Sequence, residues 1–181
     1  MQQYTRFNVV GSSGSGKSTL ARAIAQALQL PYVELDALFW KPDWQESSDD
    51  EFLPKLAQAL AGDEWVLDGN YSRTTSIKWQ RVEVVVWLDL PYPLILYQLV
   101  KRTLLRSLTR EVLWSGNTES LVKTFFHRDS VIWWSLTNLT RVRKDYSSAL
   151  SDPRYCNIQF VRLRSQAHLA LFLENLAVVA R

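Results

Sequence analysis

A chain of 181 residues, 47% hydrophobic and 22% charged, has the length for one domain with a buried core and leaves no material for a second full domain. Its net charge is a modest +3, and its one cysteine, Cys156, excludes a disulfide framework or a cysteine-rich metal site and reads as a small strand-edge residue. The most apolar windows, 84–90 and 94–100, are split by Pro91 and Pro93 and fall short of the ~18 residues a membrane span needs; the N-terminus has no signal-peptide stretch, so a cytoplasmic location is expected.

In chain order, the apolar run 7–10 ending at Gly11 predicts a buried strand. After a Gly/Ser-rich loop, residues 18–30 predict a helix, with Leu20, Ala23, Ile24, Ala27 and Leu28 at helical spacing and Pro31 as its stop. Residues 32–35 form a second expected strand closing on Asp36, and Lys41-Pro42-Asp43-Trp44 a turn. Ser48 and Glu51 have the spacing of a capping box ahead of a helix that turns Leu53, Leu56, Ala57 and Leu60 inward, with Pro54 blurring its start. Residues 65–67 are a third strand ended by Asp68-Gly69-Asn70, and 82–88 a fourth whose continuous apolar character suits a parallel sheet covered on both faces. A long helix starts near Pro93. The segment 110–150, with Trp114, Trp133 and Trp134, is expected to hold two or three helices; 157–163 is the fifth strand and 167–179 the closing helix. Strands alternating with helices predict a three-layer α/β/α fold with a parallel sheet.

Gly11-Ser12-Ser13-Gly14-Ser15-Gly16-Lys17-Ser18 meets every defined position of the G-x-x-x-x-G-K-[ST] phosphate loop, between an apolar strand and a helix. The glycines let backbone N–H groups curl inward around phosphate, and the helix carrying Thr19 adds the positive end of its dipole. Lys17 suits the β and γ phosphates, and Ser18 suits Mg²⁺. The expected ligand is therefore ATP with Mg²⁺. No N-K-x-D segment supports a guanine-specific site. Ligands of open α/β sheets sit at strand carboxyl ends, so Asp36, Asp68 and Asp89 are candidates by position. Asp89 follows a run like a Walker B strand, yet Pro91 and the inferred strand order put it beyond the phosphate-loop strand, and it ranks behind Asp68 for the metal.

Two further segments carry a family resemblance. Leu67-Asp68-Gly69-Asn70-Tyr71-Ser72-Arg73-Thr74 resembles the Asp-Gly-Phe-Pro-Arg-Thr segment of adenylate kinases. Together with Leu35-Asp36-Ala37-Leu38-Phe39-Trp40-Lys41-Pro42-Asp43-Trp44 and Leu113-Trp114-Ser115-Gly116-Asn117-Thr118-Glu119-Ser120, it is similar to the bacterial adenylate kinase-related, or DNA topology modulation, proteins of the FlaR-like group. That resemblance implies an adenylate-kinase-like P-loop NTPase fold with a five-stranded parallel sheet, an acceptor-binding flap at about 36–64 and a basic helical lid at about 101–145 within one domain, 1–181. It implies that Asp68 holds a water of the Mg²⁺ shell, that Asp36 faces the acceptor hydroxyl, and that Arg73 clamps an acceptor phosphate. The chain departs from adenylate kinases in placing Asn70-Tyr71-Ser72 before Arg73, which leaves the acceptor unnamed.

Between Lys101 and Lys144 nine Lys or Arg stand against three acids. Arg102, Arg106 and Arg110 recur every four residues along one helical face, and Arg141-Val142-Arg143-Lys144 forms a second group; either could close on a transferring phosphoryl group. His127 and His168 have no ligand-spaced partners. Trp65, Trp79 and Trp87 are expected in the core, while Trp40 and Trp44 flank the acceptor flap, where an indole could stack on a ring. The sequence thus points to ATP-dependent phosphoryl transfer to a small acceptor (nucleotide, nucleoside or similar metabolite). The second reading is an ATP-dependent regulatory or DNA-topology-modulating protein, with nucleic acid a possible but less favoured partner and no membrane partner; oligomeric state is open.

Overall fold

Residues 4–109, 111–118 and 131–179 are described by the computed structural model, with side chains for all of these but 131–136 and 177–179. Five strands, β1 (Arg6–Gly11), β2 (Tyr32–Glu34), β3 (Trp65–Asp68), β4 (Val84–Leu88) and β5 (Gln159–Leu163), form one sheet in the order β2-β3-β1-β4-β5. Every pairing is parallel, as expected for strands whose connections run through helices. β1 lies at the centre, so the phosphate-loop sequence leaves the middle of the sheet with Asp68 one strand to one side and Asp89 one strand to the other. The register Val9↔Asp68 and Gly11↔Leu88 sets this arrangement.

Period-two alternation divides the core between the two faces of the sheet. Phe7, Val9, Val84, Val86 and Leu163 pack with Leu20 and Ile24 of α1 (Lys17–Leu28), against which Leu169 and Phe172 of the closing helix also lie. Val10, Leu67, Val85 and Trp87 face the other way, onto Leu35, Phe39, Phe52, Leu56 and Tyr146. This second layer is built from α2 (Leu35–Phe39), α3 (Asp49–Ala59), α4 (Thr75–Lys78) and α6 (Val131–Leu150), while α5 (Tyr92–Thr109) runs from the end of β4 and α7 (Gln166–Val179) closes the chain. Trp65, Trp79 and Trp87 are all buried, as expected.

Local chemistry explains the boundaries. α1 ends where Gln29 takes a left-handed conformation and the Leu30 amide bonds back to the Ala25 carbonyl. The Ser48/Glu51 capping box forms, and Pro54 sits inside α3 without ending it. The second strand stops one residue earlier than predicted, so Asp36 lies in the first turn of α2 instead of at a strand end. In the segment 110–150 the described part holds a single 3-10 turn (Trp114–Gly116) and α6. Arg110, His127 and the side chains of Trp133 and Trp134 lie outside the described residues.

Candidate active site

The loop between β1 and α1 is shaped by its glycines and by what packs under it. Gly14 has φ +81°, and a Cβ there would stand 2.8 Å from Leu99 Cβ of α5, so loop and helix touch at van der Waals distance. Gly16 has φ +91° and nothing within 4 Å of where a Cβ would lie: the space over the loop is open. Gly16 is also the residue before α1, which has no side-chain cap and no acid in its first turn. The first N–H groups of a twelve-residue helix are thus left for an incoming anion, and the helix dipole favours one.

Asp68 ends β3 beside this loop and is buried, 3% exposed. The Tyr32 hydroxyl donates to its Oδ2 at 3.2 Å, while Oδ1 is buried with no hydrogen-bond partner. Burial pushes the Asp68 carboxyl above the usual carboxylate range; the Lys17 ammonium and the Ser18 hydroxyl, both close by, pull it back, and the Asp36 charge raises it. Asp68, Lys17, Ser18 and Asp36 therefore share one electrostatic neighbourhood. The open cradle at Gly16, the Ser18 hydroxyl and the unpartnered carboxylate oxygen of Asp68 fit a hydrated Mg²⁺ carried in with a nucleotide.

Asp36 is half-buried, and the Tyr71 hydroxyl donates to its Oδ1 at 2.7 Å. That bond, the Asp36 charge and above all burial push the Tyr71 phenol far up. Arg73 lies over the rings of Phe39 (4.8 Å) and Phe52 (5.5 Å) and pairs with Asp49 at 2.9 Å. A stacked guanidinium with an exposed partner is held in place while it keeps a face for an anionic ligand. Tyr71 packs against the same two rings, so Asp36, Tyr71 and Arg73 form one aromatic-walled group.

The basic residues divide. Arg102 on α5 reaches the loop itself, donating to Ser13 Oγ at 3.3 Å, and Arg106, one turn on, pairs with Glu111 at 3.3 Å. Arg141 is 71% exposed in an i,i+4 pair with Asp145 at 3.8 Å. The α6 arginine that turns inward is Arg143, which grips Asp89 Oδ1 at 2.6 Å and lies over Tyr92. Arg162 of β5 takes Asp89 Oδ2 at 2.6 Å. Both oxygens of Asp89 are thus engaged by guanidinium groups, which makes Asp89 the hub of two ion pairs. With Pro91 and Arg164 these residues line an open cleft of about 320 Å³ beyond the ends of β4 and β5. Neither Arg162 nor Arg164 was legible as a site residue: each sits in ordinary strand-end sequence.

Trp40 and Trp44 do not stand free beside the flap. Two tight turns, each closed by an antiparallel bridge (Trp40↔Glu46 and Val112↔Thr118), clasp one another. The Trp44 amide donates to Asn117 Oδ1 (3.0 Å) and its indole to the Thr118 carbonyl (3.2 Å); Asn117 Nδ2 donates to the Lys41 carbonyl (2.8 Å) and Ser115 Oγ to the Trp40 carbonyl (2.7 Å). Trp44 meets Trp40 and Trp114 edge to face. Left-handed backbone at Asp43, Trp44 and Ser115 makes both turns, and no composition signal announces it. Among the described residues no cluster of His, Cys, Asp and Glu could hold a metal by itself, and no helix is long and apolar enough to cross a membrane.

Comparison with known proteins bears on the fold and on the phosphate-loop segment. A family model, the ATPase family associated with various cellular activities (AAA), matches residues 7–63, the part that contains the phosphate loop. A cytidylate kinase of Maridesulfovibrio salexigens is 39% identical over 67 residues, which is 36% of this chain and 30% of that kinase, so the match spans less than a third of the relative. Among solved structures, shikimate kinase from Acinetobacter baumannii, in complex with shikimate, superposes with a TM-score of 0.56 at 16% identity over 98% of this chain and 93% of that one. A gluconokinase from Sinorhizobium meliloti 1021 gives 0.50 at 20% identity, covering all of both chains. At these identities the likeness is one of fold. The central β1 with its phosphate loop, the β2-β3-β1-β4-β5 order and these neighbours together make this a chain with the fold of P-loop kinases.

Proposed function

We propose that the protein transfers the γ-phosphoryl group of ATP to a hydroxyl of a small acceptor. The observation that supports this most is the pair of carboxylates on one side of the phosphate loop: Asp68, buried beside Lys17 and Ser18, and Asp36, held by Tyr71 next to the stacked Arg73. A protein that only held ATP would need the first and not the second.

In this reading the loop amides of residues 11–18 and the open start of α1, with Thr19, hold the phosphates, and Lys17 reaches the β and γ groups. Ser18, and Asp68 through water, would hold Mg²⁺, which when bound supplies positive charge to the phosphate oxygens. Arg73 and Asp36 orient the acceptor. Its hydroxyl oxygen forms the new P–O bond as the bond to the β–γ bridging oxygen breaks, Asp36 takes the hydroxyl proton, and ADP leaves. Arg102, already against Ser13, neutralises charge on the moving group, with Arg106 behind it. Positioning and electrostatics carry the rate. The cleft of Asp89, Arg143, Arg162 and Arg164 lies one strand over from the loop and suits the nucleoside half of ATP.

The 36–64 flap and the 101–145 lid belong to one domain in this account, and the turns around Asn70-Tyr71 and Trp114-Ser115-Gly116-Asn117 support membership of the adenylate kinase-related group. A kinase drawing on metabolic ATP fits a cytoplasmic location. The test is ADP release with ATP and Mg²⁺ against a panel of nucleosides, nucleotides, sugars and small hydroxy acids. The expected result is turnover stimulated by one acceptor class and reduced on the order of 10²-fold in Asp36→Ala with ATP affinity retained. No stimulation by any acceptor, with duplex DNA bound in a steeply salt-dependent manner, would contradict it.

A further inference from the structure

The β1–β3 ladder runs from Arg6↔Trp65 to Val9↔Asp68, and its last backbone bond is from the Gly69 amide to the Val9 carbonyl at 3.2 Å. β3 has ended by then, yet Gly11, first residue of the phosphate loop, is paired on that edge. Its N–H donates to Asn70 Oδ1 at 3.0 Å, and its carbonyl accepts from Asn70 Nδ2 at 2.6 Å. A carboxamide offers one donor and one acceptor side by side, as a peptide group does. Asn70 therefore continues the ladder by a rung made from a side chain, while Leu88 of β4 holds Gly11 in register from the other side.

Three other groups fix Asn70. The Tyr146 hydroxyl of α6 donates to the same Oδ1 at 3.3 Å. Lys78 of α4, fully buried, donates its ammonium to the Asn70 carbonyl. Asn8 of β1 donates to the carbonyls of Leu67 (3.2 Å) and Gly69 (3.3 Å) and accepts from the Trp79 indole at 3.1 Å, so the 68–70 turn is fastened from beneath. The turn that presents Asp68 to the metal site and the loop that cradles phosphate are thereby one hydrogen-bonded unit, tied to the helix that returns from the proposed lid.

We infer that Asn70 is a positioning residue of the nucleotide site: through its carboxamide it sets the mouth of the phosphate loop and links it to α6 through Tyr146. This rests on the reading of residues 11–18 as a phosphate site. The Asn70 backbone carbonyl, and hence the Lys78 bond, survives substitution of the side chain, so variants isolate the carboxamide. Asn70→Ala removes both bonds to Gly11. Asn70→Asp keeps an acceptor for the Gly11 amide and Tyr146 but loses the donor and faces a carboxylate to the Gly11 carbonyl. Tyr146→Phe removes only the hydroxyl.

The experiment is calorimetric titration of the full chain with MgADP, alongside its thermal midpoint without nucleotide. Wild type is expected to bind and Lys17→Ala to bind far more weakly. Asn70→Ala and Asn70→Asp are expected to lose about tenfold or more in affinity, and Tyr146→Phe about threefold, from the loss of oriented hydrogen bonds, with the midpoint of Asn70→Asp lowered but still well above the temperature of the titration. Wild-type affinity in both Asn70 variants overturns the inference while leaving the phosphate site standing. So does an affinity loss seen only where the midpoint collapses, because that would be a structural role alone. If Asn70→Ala does not fold, Asn70→Asp decides. Failure of wild type to bind MgADP overturns both the inference and the reading beneath it.

Discussion

Asp68 is under two opposed demands. Burial favours its neutral form, and the proposed metal role needs its charge. A carboxyl whose folded pKa lies above the unfolded value contributes stability only at low pH, and that contribution is lost as pH rises through the folded value. Above the ordinary carboxylate range, burial of Asp68 is therefore a cost to the empty protein. Asp68→Asn is expected to raise the thermal midpoint measured with EDTA at pH 7 and to lower Mg²⁺-dependent turnover by on the order of 10²-fold or more. A lowered midpoint with turnover unchanged would contradict this account of Asp68. Lys78 poses the converse case. Full burial pushes its ammonium from 10.5 down to about 7. Between those values the unfolded chain holds a proton that the folded chain does not, so this residue makes stability rise with pH across that window and contributes no slope below it. Denaturant titrations of wild type and Lys78→Met at several pH values check this: the difference between them should change between pH 7 and 10.5 and be flat at lower pH. None of this was legible in Ile77-Lys78-Trp79, where a lysine reads as a surface residue. Its burial follows from the tertiary position of α4, which no local pattern encodes.

At the scale of elements, the clasp between the 40–46 and 112–118 turns ties the proposed acceptor flap to the proposed lid. Asn117 is 5% exposed and serves both a donor and an acceptor role across it. Asn117→Ala should release the Trp44 amide, which is bonded to the Asn117 side chain. Hydrogen exchange at Trp44 is expected to speed up about tenfold, on the order of one or two lost hydrogen bonds, while exchange at Val85 in the sheet stays unchanged. Unchanged exchange at Trp44 would mean the clasp does not hold the two turns together. The elements themselves were largely readable. Apolar runs gave all five strands, and helical spacing with Pro31, Ser48 and Glu51 as punctuation gave α1 and α3. The clasp was not readable, because it depends on left-handed residues such as Asp43 and Ser115 and on side-chain-to-backbone bonds between segments 73 or more residues apart. Asp36 moved from a strand end to a helix start for a similar reason: its neighbour Leu35 is drawn fully into the core, and the chain turns there.

At the scale of the whole molecule, the strand order with β1 in the centre brings residues separated by tens of positions to one edge of the sheet. Gly11 to Ser18 was legible because phosphate binding constrains a contiguous loop. Asp68 was legible by position and resemblance because it ends a strand adjacent to that loop. The arginines were legible only as a group: spacing could not separate Arg102, which meets Ser13, from Arg141, which faces solvent, and Asp89 looked available until Arg143 and Arg162 were seen to hold it. The carboxyl ends of the strands gather the parts of the proposed phosphoryl-transfer site: the phosphate loop, the buried carboxylate of Asp68 beside it, and Asp36 held by Tyr71 next to the stacked Arg73. The proposed fate of the γ-phosphoryl group is an acceptor and not water. It is tested most directly by following the phosphorus atoms of ATP by ³¹P NMR with the protein, Mg²⁺ and the acceptor panel. A phosphate monoester signal is expected to grow in step with ADP, and to grow on the order of 10²-fold more slowly with Asp36→Ala. Release of inorganic phosphate alone, at one rate with or without any acceptor, would contradict it.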